Sequence, residues 1–323
     1  MKTKTKILLF VLFMILTIIV VRYIYISSIE DRLNNPITGN AIKEEDKPII
    51  KEVDEINNNN NNNNNNQKID ENKTKENPII ENKTPITKNE DIPRIKKEIS
   101  IASWNLQIFG KAKAENFQLL KNYSQIIGQY DIIFIQEIRD EKGNSFKELC
   151  SMLPSFECIN SSRAGTTSSK EQIGIIYKRG INLSLFDFNP LEQDYYERPP
   201  IKVDINIEGN NITAYNIHIK PEQVSIELTN LEETIVNNGK VILMGDLNAD
   251  CSYYNPQLQT HFMGWFWLIK DFEDTTSSNS NCAYDRILLN NGAKSNYLEH
   301  GIHTENITEA MSDHYLIWVK FRI

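Results

Sequence analysis

Apolar and polar positions divide the chain into three stretches. Ile7 to Val21 is an unbroken apolar run, and Tyr23 to Ile26 continue it beyond Arg22. As a helix, the run from Ile7 to Ile26 has about 20 residues and a length of roughly 30 Å, enough to cross a bilayer. From residue 27 to 97 polar residues dominate, with consecutive asparagines from Asn57 to Asn66. Such a stretch buries too little apolar surface to offset its ordering entropy, so a disordered linker is expected. From residue 98 to the end, short apolar runs alternate with segments of helical spacing.

In that last stretch the runs IASWNLQIF, DIIFIQEI, QIGIIYK, IKVDINI, NITAYNIHI, KVILMGDLN, AYDRILL and YLIWVKFRI read as strands. Near-continuous runs such as VILMG suit strands covered on both faces. Ala114 to Tyr130, Phe146 to Leu153 and Pro221 to Val236 read as helices; Val224, Leu228, Leu231 and Ile235 repeat at the spacing of one buried helical face. Strands inside and helices outside predict a layered α/β sandwich.

Lys2, Lys4 and Lys6 precede the first apolar run, so the positive-inside rule keeps the N-terminus in the cytoplasm. No clear small-residue cleavage site follows, which favours an uncleaved membrane anchor over a signal peptide. Either way residues 98–323 are expected outside the cytoplasm. All four cysteines (Cys150, Cys158, Cys251, Cys282) lie there, an even count that suits disulfides; no pair has the close C-x-x-C spacing of a zinc site. Residues 98–323 carry 19 Lys and Arg against 29 Asp and Glu, a net of −10. That balance argues against tight, processive binding to nucleic acid, but not against an acidic site that recruits a cation.

Polar residues at the ends of apolar strands are the strongest chemical signal. Asn105 follows Ser103-Trp104, Gln136-Glu137 ends DIIFIQE, His218 ends AYNIH, and Asp246 and Asn248 end VILMGDLN. Asp285 sits in CAYDRI, and Asp313-His314 opens SDHYLIWV. A single such residue is commonly a cap or turn former; six placements in one domain point to convergence at one edge of the sheets. Oxygen-rich sets select hard cations, chiefly Mg²⁺, Mn²⁺ or Ca²⁺. Such an ion polarises a phosphoryl oxygen and orients water, and histidine is suited to move the proton. With no nucleophilic Ser or Cys motif, the best-supported chemistry is hydrolysis of a phosphate ester.

These motifs resemble the endonuclease/exonuclease/phosphatase superfamily and, within it, the deoxyribonuclease I branch. The resemblance runs from about Ile99 to Ile323 and is carried by GDLNADCSYY, NCAYDRI and SDHY. WNLQIFG, IQEIRD, KEQ at Lys170 to Gln172, ERPP at Glu197 to Pro200, and H-x-x-P-x5-E from His218 to Glu227 support it. It implies a four-layered α/β sandwich, two packed mixed β-sheets flanked by helices. It implies catalytic Mg²⁺ or Mn²⁺ on Asn105 and Glu137 with Asp313 alongside, and Asp246 and Asn248 positioning phosphate and water. His314 would be oriented by Asp285 and His218 by Glu171, the two pairs sharing general base and general acid work. Arg139 and Arg198 match phosphate contacts. Cys251 and Cys282 would form a disulfide closing a loop of about 32 residues, worth roughly 3–4 kcal/mol, which leaves Cys150 and Cys158 to pair. Asp274, Thr276, Ser278 and Ser280 resemble a structural Ca²⁺ loop, while a solvated Ser/Thr loop is the plain alternative.

Two departures stand out. Ser169 replaces a tyrosine and Gln107 an arginine that grip the DNA minor groove in that branch, so the catalytic set is retained while the grip is expected to differ. The expectation is a monomeric, membrane-tethered endonuclease acting on DNA and leaving 5′-phosphates. A sphingomyelinase-like phosphodiesterase of the same superfamily and an inactive binding module are the alternatives; the competent side chains argue against the second.

Overall fold

A computed structural model describes residues 98–166, 169–189, 191–258 and 260–323. The expected membrane-spanning segment and linker, residues 1–97, lie outside the described residues. Among the described residues, no helix is long and apolar enough to cross a membrane.

Among the described residues, twelve strands form two six-stranded sheets. The first contains β1 (Glu98–Phe109), β2 (Ile132–Ile138), β3 (Phe156–Asn160), β4 (Gln172–Lys178), β11 (Tyr297–His303) and β12 (Leu316–Arg322), in the order β11-β12-β1-β2-β4-β3. The second contains β5 (Asn182–Asp187), β6 (Ile201–Ile207), β7 (Asn210–Asn216), β8 (Val241–Asp246), β9 (Phe266–Trp267) and β10 (Asp285–Leu289), in the order β5-β6-β7-β8-β10-β9. Each sheet is mixed: β1 pairs parallel with β2 and β7 with β8, and the remaining pairs are antiparallel.

The two-residue period of the strands explains the continuous apolar runs. Ile99 and Ile101 of β1, Ile132 and Phe134 of β2, Ile242 and Met244 of β8, and Ile317 and Val319 of β12 share the core between the sheets. Their neighbours Trp104, Ile133, Ile135 and Leu316 face outward onto α1 (Lys111–Ala114), α2 (Phe117–Ile127) and α3 (Asn144–Ser151). Val241 and Leu243 face α4 (Val224–Thr234), where Val224, Leu228, Leu231 and Ile235 are all buried. A strand covered on both faces has no polar side to show. Each fully buried Leu or Ile contributes roughly 1.5–3 kcal/mol relative to exposure.

The expected helix from Ala114 to Tyr130 is two: Asn116 interrupts it and accepts Gln118 N and Leu119 N with its side chain, an N-cap for α2. The four strands that the sequence pattern did not single out, β3, β5, β9 and β11, are the edges of the two sheets. Edge strands are half exposed, so their apolar alternation is diluted. Both disulfides are present. Cys150–Cys158 ties α3 to β3, and Cys251–Cys282 ties the chain beyond β8 to the approach to β10; among the described residues no cysteine is free.

Candidate active site

The two sheets meet in a polar seam at one end, inside otherwise apolar packing. Gln136 of β2 donates to Ile217 O (2.5 Å) and Asn216 Oδ1 (3.2 Å) and accepts Asp246 N (3.2 Å). Asn216 of β7 donates to Ser103 Oγ (3.0 Å) and Met244 O (2.9 Å). Ser103, Gln136 and Asn216 have no solvent exposure, and each unmade bond there would carry the full desolvation cost, about 1–3 kcal/mol. Gly245, at φ 144°, lets the backbone approach this seam: a Cβ there would collide with Ile217 O and the Gln136 amide.

Above the seam the strand ends turn sharply. Gln107, Ile108, Glu137 and Asn248 have φ between 45° and 60°, a left-handed conformation costly for side-chain-bearing residues. The fold holds them there. Ile108 N donates to Glu137 Oε2 (2.9 Å), and Asn248 donates its backbone N–H to Asp246 Oδ1 (3.1 Å) and its side chain to Ile219 O (2.9 Å). Ser312 Oγ donates to Asn105 O (2.5 Å) and accepts His314 N (3.0 Å), while Trp104 Nε1 donates to His314 O (2.9 Å).

Asp246 Oδ2 is the geometric centre. Asn105 Nδ2 lies 3.0 Å away, His218 Nε2 3.4 Å and His314 Nε2 3.5 Å. Each imidazole is held from behind by a buried carboxylate: His218 Nδ1 is 2.6 Å from Glu171 Oε1, and His314 Nδ1 is 2.7 Å from Asp285 Oδ2. Both rings therefore turn Nε2 toward the same oxygen. Each pair bridges the sheets. Glu171 precedes β4 and His218 follows β7; His314 precedes β12 and Asp285 opens β10.

The charges follow from this packing. Burial alone would lower the His314 pKa, but Asp285 and Asp246 outweigh it and push it up to about 10. For His218 burial is again opposed by Glu171, with Arg198 pulling the other way; the net shift is still upward. Burial would raise Asp246 and Glu137, yet Asp246 is held below the usual carboxylate range by His314 and His218, and Glu137 by His218 and Arg139. Asp285 goes the other way, raised by burial.

Asn105 Nδ2 donates to Asp246 Oδ2 and to Glu137 Oε1 (3.1 Å), so the three side chains converge at one point. Asp313 Oδ1 is buried without a hydrogen-bond partner and lies 3.8 Å from His314 Nε2. An unpaired buried carboxylate oxygen beside this set fits a hard divalent cation. Among the described residues, Asp246, Asp285 and His314 also bring ligand-type atoms within 4.8 Å of one another. Asp285 is committed to His314 Nδ1, so that trio is a proton-holding relay first, and Asn105, Glu137 and Asp313 remain the better fit for the ion.

Arg139 and Arg198 are in the site but spoken for. Arg139 Nη2 lies 2.7 Å from Glu137 and 3.6 Å from Glu171; Arg198 donates to His218 O (2.9 Å) and lies 3.5 Å from Glu171. Arg139 Nε is buried without a hydrogen-bond partner. The expected calcium loop sits on the same face, where Thr276 bridges to His314 and Ser277 N donates to Asp313 O. In it Asp274 Oδ1 accepts Thr276 N, Thr276 Oγ1 and Cys282 N, and Thr276 Oγ1 also meets Ser280 O. The loop is closed by its own donors.

Three supporting residues escaped the sequence reading. Lys113 donates to Leu106 O, Gln107 O and Met311 O, stapling two site loops, and burial lowers its pKa to about 8. Glu227, fully buried, accepts Glu197 N (3.0 Å) and Lys220 N (3.4 Å), and burial raises its carboxyl to about 7. Tyr284 packs against Tyr253 (5.5 Å between rings) and faces His314 (6.4 Å) at the rim. Glu227 had a signal in the H-x-x-P-x5-E spacing and Tyr284 in NCAYDRI, though neither was given a role there; Lys113 had none.

A metal-fitting carboxylate set with two carboxylate-backed histidines, across paired mixed sheets, defines a phosphoesterase class. The chain belongs to the endonuclease/exonuclease/phosphatase family, whose model matches residues 102–314. Within it the chain falls in the deoxyribonuclease I-like branch. It is 29% identical to Deoxyribonuclease-1 of Gallus gallus over 265 residues, covering 71% of this chain and 94% of that one. Deoxyribonuclease-1 of Homo sapiens is 27% identical, covering 69% and 92%. Among solved structures, a family protein from Leptotrichia buccalis matches with a TM-score of 0.52 at 19% identity, covering 70% of this chain and all of that one. A mannosyl-6-phosphatase from Bacteroides thetaiotaomicron matches at 0.51 and 17%, covering 68% and 98%. These structural likenesses speak for the fold alone.

Proposed function

We propose that this chain is a divalent-metal-dependent endonuclease that hydrolyses DNA phosphodiesters to 5′-phosphates, working as a monomer outside the cytoplasm on a membrane tether. The observation that carries the chemistry is the convergence of His218 Nε2 and His314 Nε2 on Asp246 Oδ2, each imidazole backed by its own carboxylate. The substrate class is drawn from the deoxyribonuclease relatives and the tether from the apolar run and linker.

Asn105, Glu137 and Asp313 would hold Mg²⁺ or Mn²⁺, which supplies charge neutralisation at the phosphoryl oxygens. Asp246 and Asn248 orient the phosphate and water. One histidine takes the proton of the attacking water and the other gives one to the leaving oxygen, with Glu171 and Asp285 fixing the tautomers. Arg139 and Arg198, held beside the site by Glu137 and Glu171, would supply positive charge near the phosphate.

Nicking of supercoiled plasmid, with Mg²⁺ or after chelation, tests this reading. Metal-dependent nicking to 5′-phosphate ends supports it; turnover of sphingomyelin with intact plasmid selects the lipid-directed alternative. No turnover of either would leave a binding module and end the proposal.

A further inference from the structure

Between Tyr254 and Asp274 the chain leaves the sandwich and returns as β9, the edge of the second sheet. This segment carries Leu258, Met263 and Phe272, exposed to 67%, 80% and 83%. They stand around a cleft of about 720 Å³ that is also lined by Trp265, Phe266 and Trp267. Three exposed apolar side chains standing with half-buried tryptophans around one cleft call for an explanation. Lys270 donates to Trp267 O, Asp271 pairs with the buried Arg286, and Glu273 accepts Lys270 N, while Asp274 turns back into the loop behind the site. Tryptophan, phenylalanine and methionine with a flanking lysine are the side chains that suit the layer between water and acyl chains.

The position of the chain's entry into the domain indicates what covers this edge. Glu98, where residues 1–97 join, pairs with Arg322, and Arg322 exchanges hydrogen bonds with Asn296. Two residues before Asn296, Lys294 sits over the Phe266 ring at 3.4 Å. The linker therefore enters at the end of the sandwich that carries the lower margin of the aromatic edge. The active site is at the other end: β10 runs from Asp285, paired with Asp246, to Leu289, paired with Phe266.

We propose that this edge is a membrane foot. Leu258, Met263 and Phe272 insert into the interfacial layer of a zwitterionic bilayer, the one that carries the chain's own anchor, and the catalytic end stays in water. The proposal rests on the membrane-held reading given above. An anchor on the same chain would present the foot to the bilayer at high effective concentration, so it needs little intrinsic affinity. Because apolar insertion holds it, and the domain is acidic, its seating is insensitive to salt.

The first 97 residues contain no tryptophan, so tryptophan fluorescence of the full chain reads the domain alone. The full chain is reconstituted in phosphatidylcholine vesicles, with and without brominated phosphatidylcholine. Flotation after a carbonate wash tests the anchor; bromine quenching tests the foot. The expected result is flotation for both the wild type and the Met263→Glu, Phe272→Glu double variant. Quenching should be at least twofold stronger in the wild type and equal at low and high salt. A chain that does not float refutes the anchor. A chain that floats with equal quenching in both forms overturns the foot while sparing the anchor. Concentration-dependent cross-linking between copies that the double variant abolishes would assign the edge to self-association and also overturn it.

Discussion

The two histidine–carboxylate pairs look alike in distance, 2.6 Å for His218–Glu171 and 2.7 Å for His314–Asp285, but differ in what stands behind them. Glu171 is shared with Arg198 at 3.5 Å and Arg139 at 3.6 Å, so part of its charge is already answered. Asp285 has no arginine within ion-pair reach among the described residues, and its Oδ1 is buried without a hydrogen bond. Burial opposes protonation of both rings. Only His314 has two carboxylates, Asp285 and Asp246, with no cation against them, and it is driven up to about 10. The lesson is that a pair's proton affinity depends on the partner's other partners as much as on the contact itself.

The largest expected effect falls on the rings. His218→Ala and His314→Ala should each lower the plasmid-cleavage rate by about 10²–10⁴-fold with folding retained on circular dichroism. Wild-type rates in both would break the assignment. Next comes removal of the backing charges. Asp285→Asn leaves His314 with less to hold its proton, so its pKa falls and the limb of the pH–rate profile that His314 governs moves to lower pH. Glu171→Gln should move its own limb less, because the departing carboxylate was already shared with Arg198. Equal shifts would erase the contrast between the pairs. Glu137→Ala should raise the Mg²⁺ concentration needed for half-maximal activity by about tenfold or more, as one charged ligand of the ion is lost.

A smaller effect concerns Glu227, which holds the chain on either side of Arg198 and His218. Its carboxyl is raised from 4.5 to about 7 by burial, so the folded state favours the protonated form. The stability this confers is fully present below pH 4.5 and is lost as pH rises through about 7, at most about 3 kcal/mol. Thermal melts of the wild type should fall over that window more than those of Glu227→Gln; parallel curves would refute the shift. Smallest is Ser169→Tyr, which should tighten DNA binding a few-fold in a filter assay and leave single-turnover cleavage nearly unchanged.

The strands at the middle of both sheets were legible because both faces are apolar, as at Ile132 to Ile135 and Val241 to Met244. The edge strands were not, since Asn182 to Asp187 and Tyr297 to His303 mix polar and apolar positions along half-exposed faces. The site residues were legible as polar interruptions at strand ends, His218 and Asp246 above all. Lys113 was hidden because a lysine in KAKA gives no hint that its ammonium turns inward to three carbonyls. The commitments of Arg139 and Arg198 to Glu137 and Glu171 were hidden for the same reason: contacts among distant loops leave no local pattern.

The seam at Gln136 and Asn216, which joins the ends of two sheets, has a consequence for the site. Neither sheet contains a complete histidine pair, and Asp246 reaches its place only when β8 docks beside β2 through Gln136. The site is thus a property of the docked sheets and of neither one alone: separating them would part each imidazole from its carboxylate.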